Sequence, residues 1–595
     1  MSRVIAAAMA ALTLGTGAAD VAAREGSQFK DAVRGRGGVV ASESRLAARE
    51  GIKTLDAGGN AVDAAVATVF AVGVVRPEMC GIGGGGFLVY RGANGKVATL
   101  DFRERAPSVY EFTPGIGTGP ALAFGTGHGT VGVPGTVAGM AAAFERFGTK
   151  SLSDTIAGAE ALARNGFPVS RDLSYWMGTQ QPRLELFPAA ATTYLDKGLT
   201  PYKQGQRLVL ADYAKSLRRI AEHGVDGFYK GAIAKAIAAD MRRSGTYPGG
   251  RGTMTAKDLA EYRAIWRKPL RGKYRDHEVI AMPAPTSGGI ATLEILNLLE
   301  GFDVRAAGQS SADHLHLMAE SQKIAWADRN EYVGDPDFVD VPAATLTSDA
   351  YADVRRREID MARARSYDPG TEPGSHTTHV SVIDRRGNAV SVTCTIEQPF
   401  GSAVVVPGTG FLLNNQLTDF GEPGTANEPK PNKRPRSSTS PTIVVRNGKP
   451  VMAVGGAGGP MIVMGVVNAI VGMVDFQLDV ARAVDAERVD ARGYPGAGEL
   501  SLGLEDARIP GDVLAELEQR GHELIRAGEY ADAPLVQAVG IDPRTCDRVA
   551  TSDPRNQRAS GDEEGRGALA QEGIKRRCPA RSARRGCCKR RGRVD

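Results

Sequence analysis

Thr377-Thr378-His379-Val380-Ser381-Val382-Ile383-Asp384, followed after Arg385-Arg386-Gly387-Asn388 by Ala389-Val390-Ser391-Val392-Thr393-Cys394-Thr395-Ile396, is the stretch on which the fold turns. Both arms alternate with period two, and the Arg-Arg-Gly-Asn between them is a turn, so the reading is a β-hairpin. The preceding loop, DPGTEPGSH at 368–376, is rich in Pro, Gly and Ser, and a cut in the chain would be tolerated there. Thr377 stands at the junction. A threonine hydroxyl is a poor nucleophile without a base beside it, and one available base is its own α-amine, pKa roughly 7.7 to 8 once freed. That chemistry requires cleavage of the His376–Thr377 bond.

Outward from the hairpin, TIVVR and PVMAVGG flank Asn447-Gly448-Lys449, where Asn-Gly suits a type I′ turn. The chain after Tyr367 is therefore read as strand-rich, with VVNAIVGMVD (466–475) and VARAVDAERV (480–489) as helices covering a sheet face. Before Tyr367 helical spacing dominates. Ala48, Ile52 and Leu55 share one face of a helix capped by Ser42 or Ser44 and stopped at Gly58-Gly59-Asn60. Ala61–Val75 is apolar nearly all round, which predicts a buried helix. Helical periodicity also covers Ser151–Arg243 and Ser287–Arg329, and no internal repeat is present.

The 595 residues are 42% hydrophobic and 24% charged, as a folded globular chain should be. The net charge of +5 is unevenly spread: residues 558–595 hold twelve Lys/Arg against five Asp/Glu, or +7, which leaves −2 on everything before them. The body therefore has no polyanion-binding balance, and no nucleic-acid partner is expected. Cys80, Cys394 and Cys546 are widely spaced and no C-x-x-C occurs, so they read as small buried residues with a disulfide left open. Residues 1–23 carry Arg3, an apolar run from Val4 to Leu14 and small residues up to Ala23, the pattern of a secretory signal peptide. No later apolar run reaches about 20 residues, so no membrane insertion is expected, and the location implied is periplasmic or extracellular.

Several motifs are weighed and set aside. GIGGGG at 81–86 fits G-x-G-x-x-G, but a helix precedes it and a strand, FLVYR, follows, the reverse of a dinucleotide site. Tight turns and close backbone packing explain it better. His314 and His316 are two apart and diverge on a helix, and neither H-E-x-x-H nor G-x-S-x-G occurs, so no metal and no cofactor are expected.

TTHVSVID at 377–384 resembles the opening of the small subunit of the γ-glutamyltranspeptidases, the glutathione hydrolases of the N-terminal nucleophile class. GGNAVDAAVA (58–67), GIGGGGF (81–87), DFRERAP (101–107), VGVPGTVAG (131–139), PAPTSGG (283–289), YVGDPDF (332–338), NNQLTDF (414–420), RPRSSTSPTIV (434–444) and GGAGG (455–459) resemble further family motifs, in family order. The resemblance covers roughly residues 38–557. It implies an α+β fold, a four-layer αββα sandwich autoprocessed from one precursor into a large subunit (24–376) and a small subunit (377–557) that pair as a heterodimer. Residues 558–595 then form an atypical Arg/Cys-rich tail, expected to be disordered.

By the same resemblance Thr377 is the nucleophile, Thr395 a hydroxyl close to it, and Gly458 and Gly459 the backbone donors of the oxyanion hole. Arg103 would clamp the α-carboxylate of a γ-glutamyl group with Ser437 and Ser438, while Gln416, Asp419 and Glu397 would take its ammonium. Arg105, two residues beyond Arg103, would face away. The implied activity is γ-glutamyl transfer and hydrolysis on small donors such as glutathione. Two departures are visible: only 17 residues separate Asp419 from Ser437, which implies a pocket without a lid, and Pro460-Met461 follows the glycines where many members carry Ser or Ala and Arg. The lidless pocket keeps open a cephalosporin (glutaryl-type) acylase on the same fold. A processing-deficient, non-catalytic binding protein is the alternative from another class.

Overall fold

The computed structural model describes residues 32–110, 125–243, 250–367, 377–491, 498–531, 534–542, 544–555 and 567–571. The signal peptide expected over 1–23, His376, and all of the 558–595 tail except 567–571 lie outside these. Two seven-stranded antiparallel sheets dominate. The first runs in the order Ala568–Ala570, Val39–Ser42, Thr378–Ile383, Ala389–Thr395, Gly85–Arg91, Val97–Asp101, Ile265–Arg267. The second runs Val33–Gly35, Arg548–Ser552, Leu535–Ile541, Lys449–Ala457, Thr442–Arg446, His277–Ala281, Leu270–Tyr274.

Three apolar clusters define the layers. Val380, Val382, Val390 and Val392 pack on the buried helices Arg45–Asp56 and Ala61–Val75. Ile383, Phe87 and Val89 of the first sheet meet Ile280, Ile443 and Val539 of the second. Beyond the second sheet, the helices Gly288–Glu300, Ala312–Tyr332 and Ile462–Val474 share a core with Val444 and Val454. The order helix, sheet, sheet, helix is the expected αββα sandwich.

The predicted hairpin is present with Thr378 opposite Cys394 and Ile383 opposite Ala389. Its polar alternate positions do not face water: they line the seam between the sheets. His379 sits between Thr393 Oγ1 at 2.9 Å and Ser381 Oγ at 3.0 Å, and Ser391 Oγ donates to Val454 O at 2.9 Å. Burial holds the His379 ring down at about 3, so it stays neutral. Gly455 is required beneath it, because a Cβ there would lie 2.2 Å from the ring. Asn447 and Gly448 both have positive φ, as the type I′ turn demands.

Three expectations are corrected, the reach of one helix, the burial of Cys546 and a tail without order, and the disulfide left open is decided. The helix in VARAVDAERV ends at Asp485, because Arg488 turns inward to pair with buried Asp553 at 2.6 Å. Cys80 and Cys394 are joined in a disulfide across 314 residues of sequence. Cys546 is exposed and also disulfide-bonded. Within the tail expected to be disordered, Ala568–Ala570 adds an edge strand to Val39–Ala41. Among the described residues no helix is long and apolar enough to cross a membrane.

Candidate active site

Thr377 immediately precedes the strand Thr378–Ile383, and the register that pairs Thr378 with Cys394 sets it beside Thr395. Its Oγ1 lies 3.4 Å from Thr395 Oγ1, and both residues are buried. Thr395 Oγ1 also accepts from Glu397 N at 2.8 Å, which fixes the hydroxyl's direction. The glycine run underlies this end of the strand. A Cβ on Gly84 would sit 2.0 Å from Thr395 O, and one on Gly86 2.0 Å from Thr393 O. Those glycines let one backbone approach another, as the sequence suggests. Thr395→Val keeps the shape and removes the hydroxyl; turnover should fall about 10- to 100-fold, and the melting temperature should drop because buried Glu397 N loses its acceptor, at a cost of about 1 to 3 kcal/mol, measured by steady-state kinetics and calorimetry.

A cavity of about 340 Å³ opens beside Thr377. Of the predicted residues, Arg103, Thr377, Thr395, Gln416, Asp419, Ser437, Ser438 and Gly459 line it; Glu397 and Gly458 do not. Gly458 and Gly459 have φ of 124° and 59°, a backbone course that excludes side chains and follows directly from the strand Lys449–Ala457. Pro460 then opens the turn into the helix Ile462–Val474.

Arg103 is fully enclosed. Its Nε donates to Pro435 O at 3.1 Å, while one terminal nitrogen donates to both Asp419 Oδ2 and Arg436 O. Gln416 Nε2 donates to the same Asp419 oxygen at 2.7 Å. Glu397 lies behind Asp419. Burial first, then the Asp419 charge and a hydrogen bond to it, push the Glu397 carboxyl well above its ordinary range, which favours a protonated acid shared with Asp419. Glu397, Phe400 and Ala403 all adopt positive φ, a left-handed backbone rare for such residues and concentrated at functional sites. Arg183 binds that loop through Pro399 O and Gly401 O.

The two arginine motifs meet through a buried network. Asp101 Oδ1 accepts from Arg103 N at 2.9 Å and from Arg434 at 2.7 Å, and Arg434 N donates to Asp335 Oδ2 at 2.8 Å. Arg105 is half-buried and pairs its backbone with Val133, clear of the cavity, in agreement with the expected divergence from Arg103. Glu104 is buried 3.8 Å from Arg103, and burial raises its carboxyl to about 8. An unfolded chain would ionise it near 4.3. Its contribution to stability is therefore complete below about pH 4, and is lost as pH rises from there through about 8. Glu104→Gln should flatten the fall in melting temperature between pH 5 and pH 8.5, which a calorimetric pH series checks.

The sequence reading missed Arg329 and Arg436, which also line the cavity. Arg329 comes from the last turn of the helix Ala312–Tyr332 and donates to Ser438 Oγ and Ser287 Oγ, each at 2.8 Å. It thereby orients one of the two predicted serines. A lone arginine at a helix end carries no sequence signal beyond favourable interaction with the helix dipole.

The αββα sandwich and a threonine at the head of its central hairpin define the class of N-terminal nucleophile hydrolases. The chain matches the family Gamma-glutamyltranspeptidase over residues 47–562, and it belongs to that family of enzymes. It is 41% identical to the glutathione hydrolase proenzyme of Escherichia coli (strain K12), covering 83% of this chain and 86% of the relative. It is 38% identical to the Acylase ACY 1 proenzyme of Pseudomonas sp. (strain SE83), covering 86% and 91%. The crystal structure of cephalosporin acylase from Bacillus halodurans superposes with a TM-score of 0.82 at 29% identity, over 93% of this chain and 99% of that one.

Proposed function

We propose that the chain is a precursor that cuts itself before Thr377 and then acts as a γ-glutamyltransferase and glutathione hydrolase. The observation that carries this reading is Thr377 Oγ1 beside Thr395 Oγ1, both in the wall of a cavity that is also lined by the paired Arg103 and Asp419. In maturation the hydroxyl attacks the His376 carbonyl and the C–N bond breaks, which frees the Thr377 amine as an ester forms on Oγ1; water then hydrolyses that ester, releasing the His376 carboxylate and returning the hydroxyl. That amine then takes the hydroxyl proton as Oγ1 attacks the γ-carbonyl of a donor. Backbone N–H groups of Gly458 and Gly459 hold the oxyanion, the donor's amine leaves with the proton, and water or an acceptor amine attacks the acyl-enzyme. Arg103, Ser437 and Ser438 take the donor's α-carboxylate, while Asp419 and Gln416 take its ammonium and Glu397, outside the cavity lining, supports Asp419 through a shared proton.

Export is part of the proposal: residues 1–23 read as a leader, and the buried Cys80–Cys394 disulfide suits an oxidising compartment. A second reading, a glutaryl-type β-lactam acylase, is favoured by the likeness to the Bacillus halodurans acylase and by the short span between Asp419 and Ser437. Rates on a γ-glutamyl anilide and on a glutaryl β-lactam decide between them. A clear excess for the anilide is expected, and the reverse order would replace the first reading with the second. Mass spectrometry of the purified protein should give a fragment beginning Thr-Thr-His-Val; a chain intact at that bond would remove the self-cleavage.

A further inference from the structure

The Cys80–Cys394 disulfide lies on both sides of the proposed cut. Of the six cysteines in the chain only Cys80 precedes Thr377; Cys394, Cys546, Cys578, Cys587 and Cys588 all follow it. Once the His376–Thr377 bond is broken, no disulfide can join the two pieces unless it uses Cys80. The structure pairs Cys80 with Cys394, and both are buried.

We propose that this bond is an inter-chain tether that keeps the two products of maturation covalently joined and fixes the Thr395 end of its strand. Cys394 is the residue before Thr395, whose hydroxyl stands beside Thr377. Cys80 is the residue before the Gly81–Gly86 run, whose Gly84 lies directly under the Thr395 carbonyl. The backbones on either side of the bond are stitched as well: Ile396 N donates to Met79 O at 3.2 Å and Phe400 N to Glu78 O at 2.9 Å. One covalent link thus clamps the glycine platform of the first chain to the strand end that presents Thr395 in the second.

Two consequences follow from elementary chemistry. Without the link, the cleaved halves are held only by non-covalent contact, and their separation is favoured by dilution. With the link, separation becomes intramolecular and re-docking occurs at a high effective concentration, so dilution has no effect. Cys80 and Cys394 are then positioning residues. Neither touches the substrate, and both act through Thr395.

The inference rests on cleavage before Thr377, and the test separates the two. Purified mature enzyme, its free thiols alkylated before denaturation, is run on denaturing gels with and without dithiothreitol, beside the Cys80→Ala and Cys394→Ala variants. One species of full mass without reductant that resolves into two with it, and two species from either variant in both lanes, is the expected result. Two species from the wild type without reductant would overturn the tether while leaving the cut in place. One species in both lanes would remove the cut, and with it any inter-chain role; a tryptic peptide linking Cys80 to Cys394 would then report an intra-chain bond. The positioning part is read on the Cys80→Ala/Cys394→Ala double variant. A several-fold fall in kcat at unchanged KM and loss of activity on dilution to nanomolar enzyme are expected. Unchanged kcat together with dilution resistance equal to the wild type would overturn it.

Discussion

Thr377→Ala is expected to leave one uncut chain with turnover reduced on the order of 10⁴-fold or more. One hydroxyl serves two reactions, attack on the His376 carbonyl and attack on the donor, so both fail together. The variant should nevertheless fold. Among the described residues the Thr377 hydroxyl makes one hydrogen bond, the long contact to Thr395, and losing it costs about 1 kcal/mol or less. A melting temperature near that of the wild type separates loss of chemistry from loss of structure. Thr377→Ser supplies the control: a hydroxyl is restored, and slow processing with partial activity should return. A processed or active Thr377→Ala protein would remove Thr377 from the nucleophile's place.

Features set by neighbouring residues were legible in the sequence. The hairpin 378–395, the Asn447-Gly448 turn and the Ala61–Val75 helix depend on local spacing and turn chemistry, and they stand where the spacing placed them. The glycine runs were legible too, since repeated glycine marks close backbone approach, and Gly84 and Gly86 make that approach to the strand carrying Thr395. Features set by distant residues were not. Period-two alternation cannot say whether a polar face meets water or a second sheet, and here Ser381, Ser391 and His379 meet a second sheet. The Cys80–Cys394 bond and the Arg329 contact to Ser438 join segments more than 100 residues apart. Ala568–Ala570 was hidden by its charged surroundings: its three small or apolar side chains do pack against the core, but a run of three is too short to show a pattern of its own.

Arg103→Lys is the second change with a large expected effect, because the charge survives and the planar fork does not. Arg103 divides its donors among Pro435 O, Arg436 O and Asp419, a spread that a lysine's single ammonium cannot reproduce. In the unliganded site Arg103 and Asp419 neutralise each other. A zwitterionic donor exchanges that one pair for two, its carboxylate on Arg103 and its ammonium on Asp419, so no charge is left unmatched. A donor with only the ammonium strands Arg103. Hydrogen bonds to charged groups contribute about 1.5 to 3 kcal/mol each, so losing the fork should lower kcat/KM for a γ-glutamyl anilide about 10²- to 10³-fold, mainly through KM. The 4-aminobutyryl anilide lacks the α-carboxylate and should already be poor with the wild type; Arg103→Lys should barely change it. The gap between the two substrates therefore closes in the variant. An equal fall on both anilides would mean that Arg103 merely holds the 435–436 backbone in place and does not bind the carboxylate.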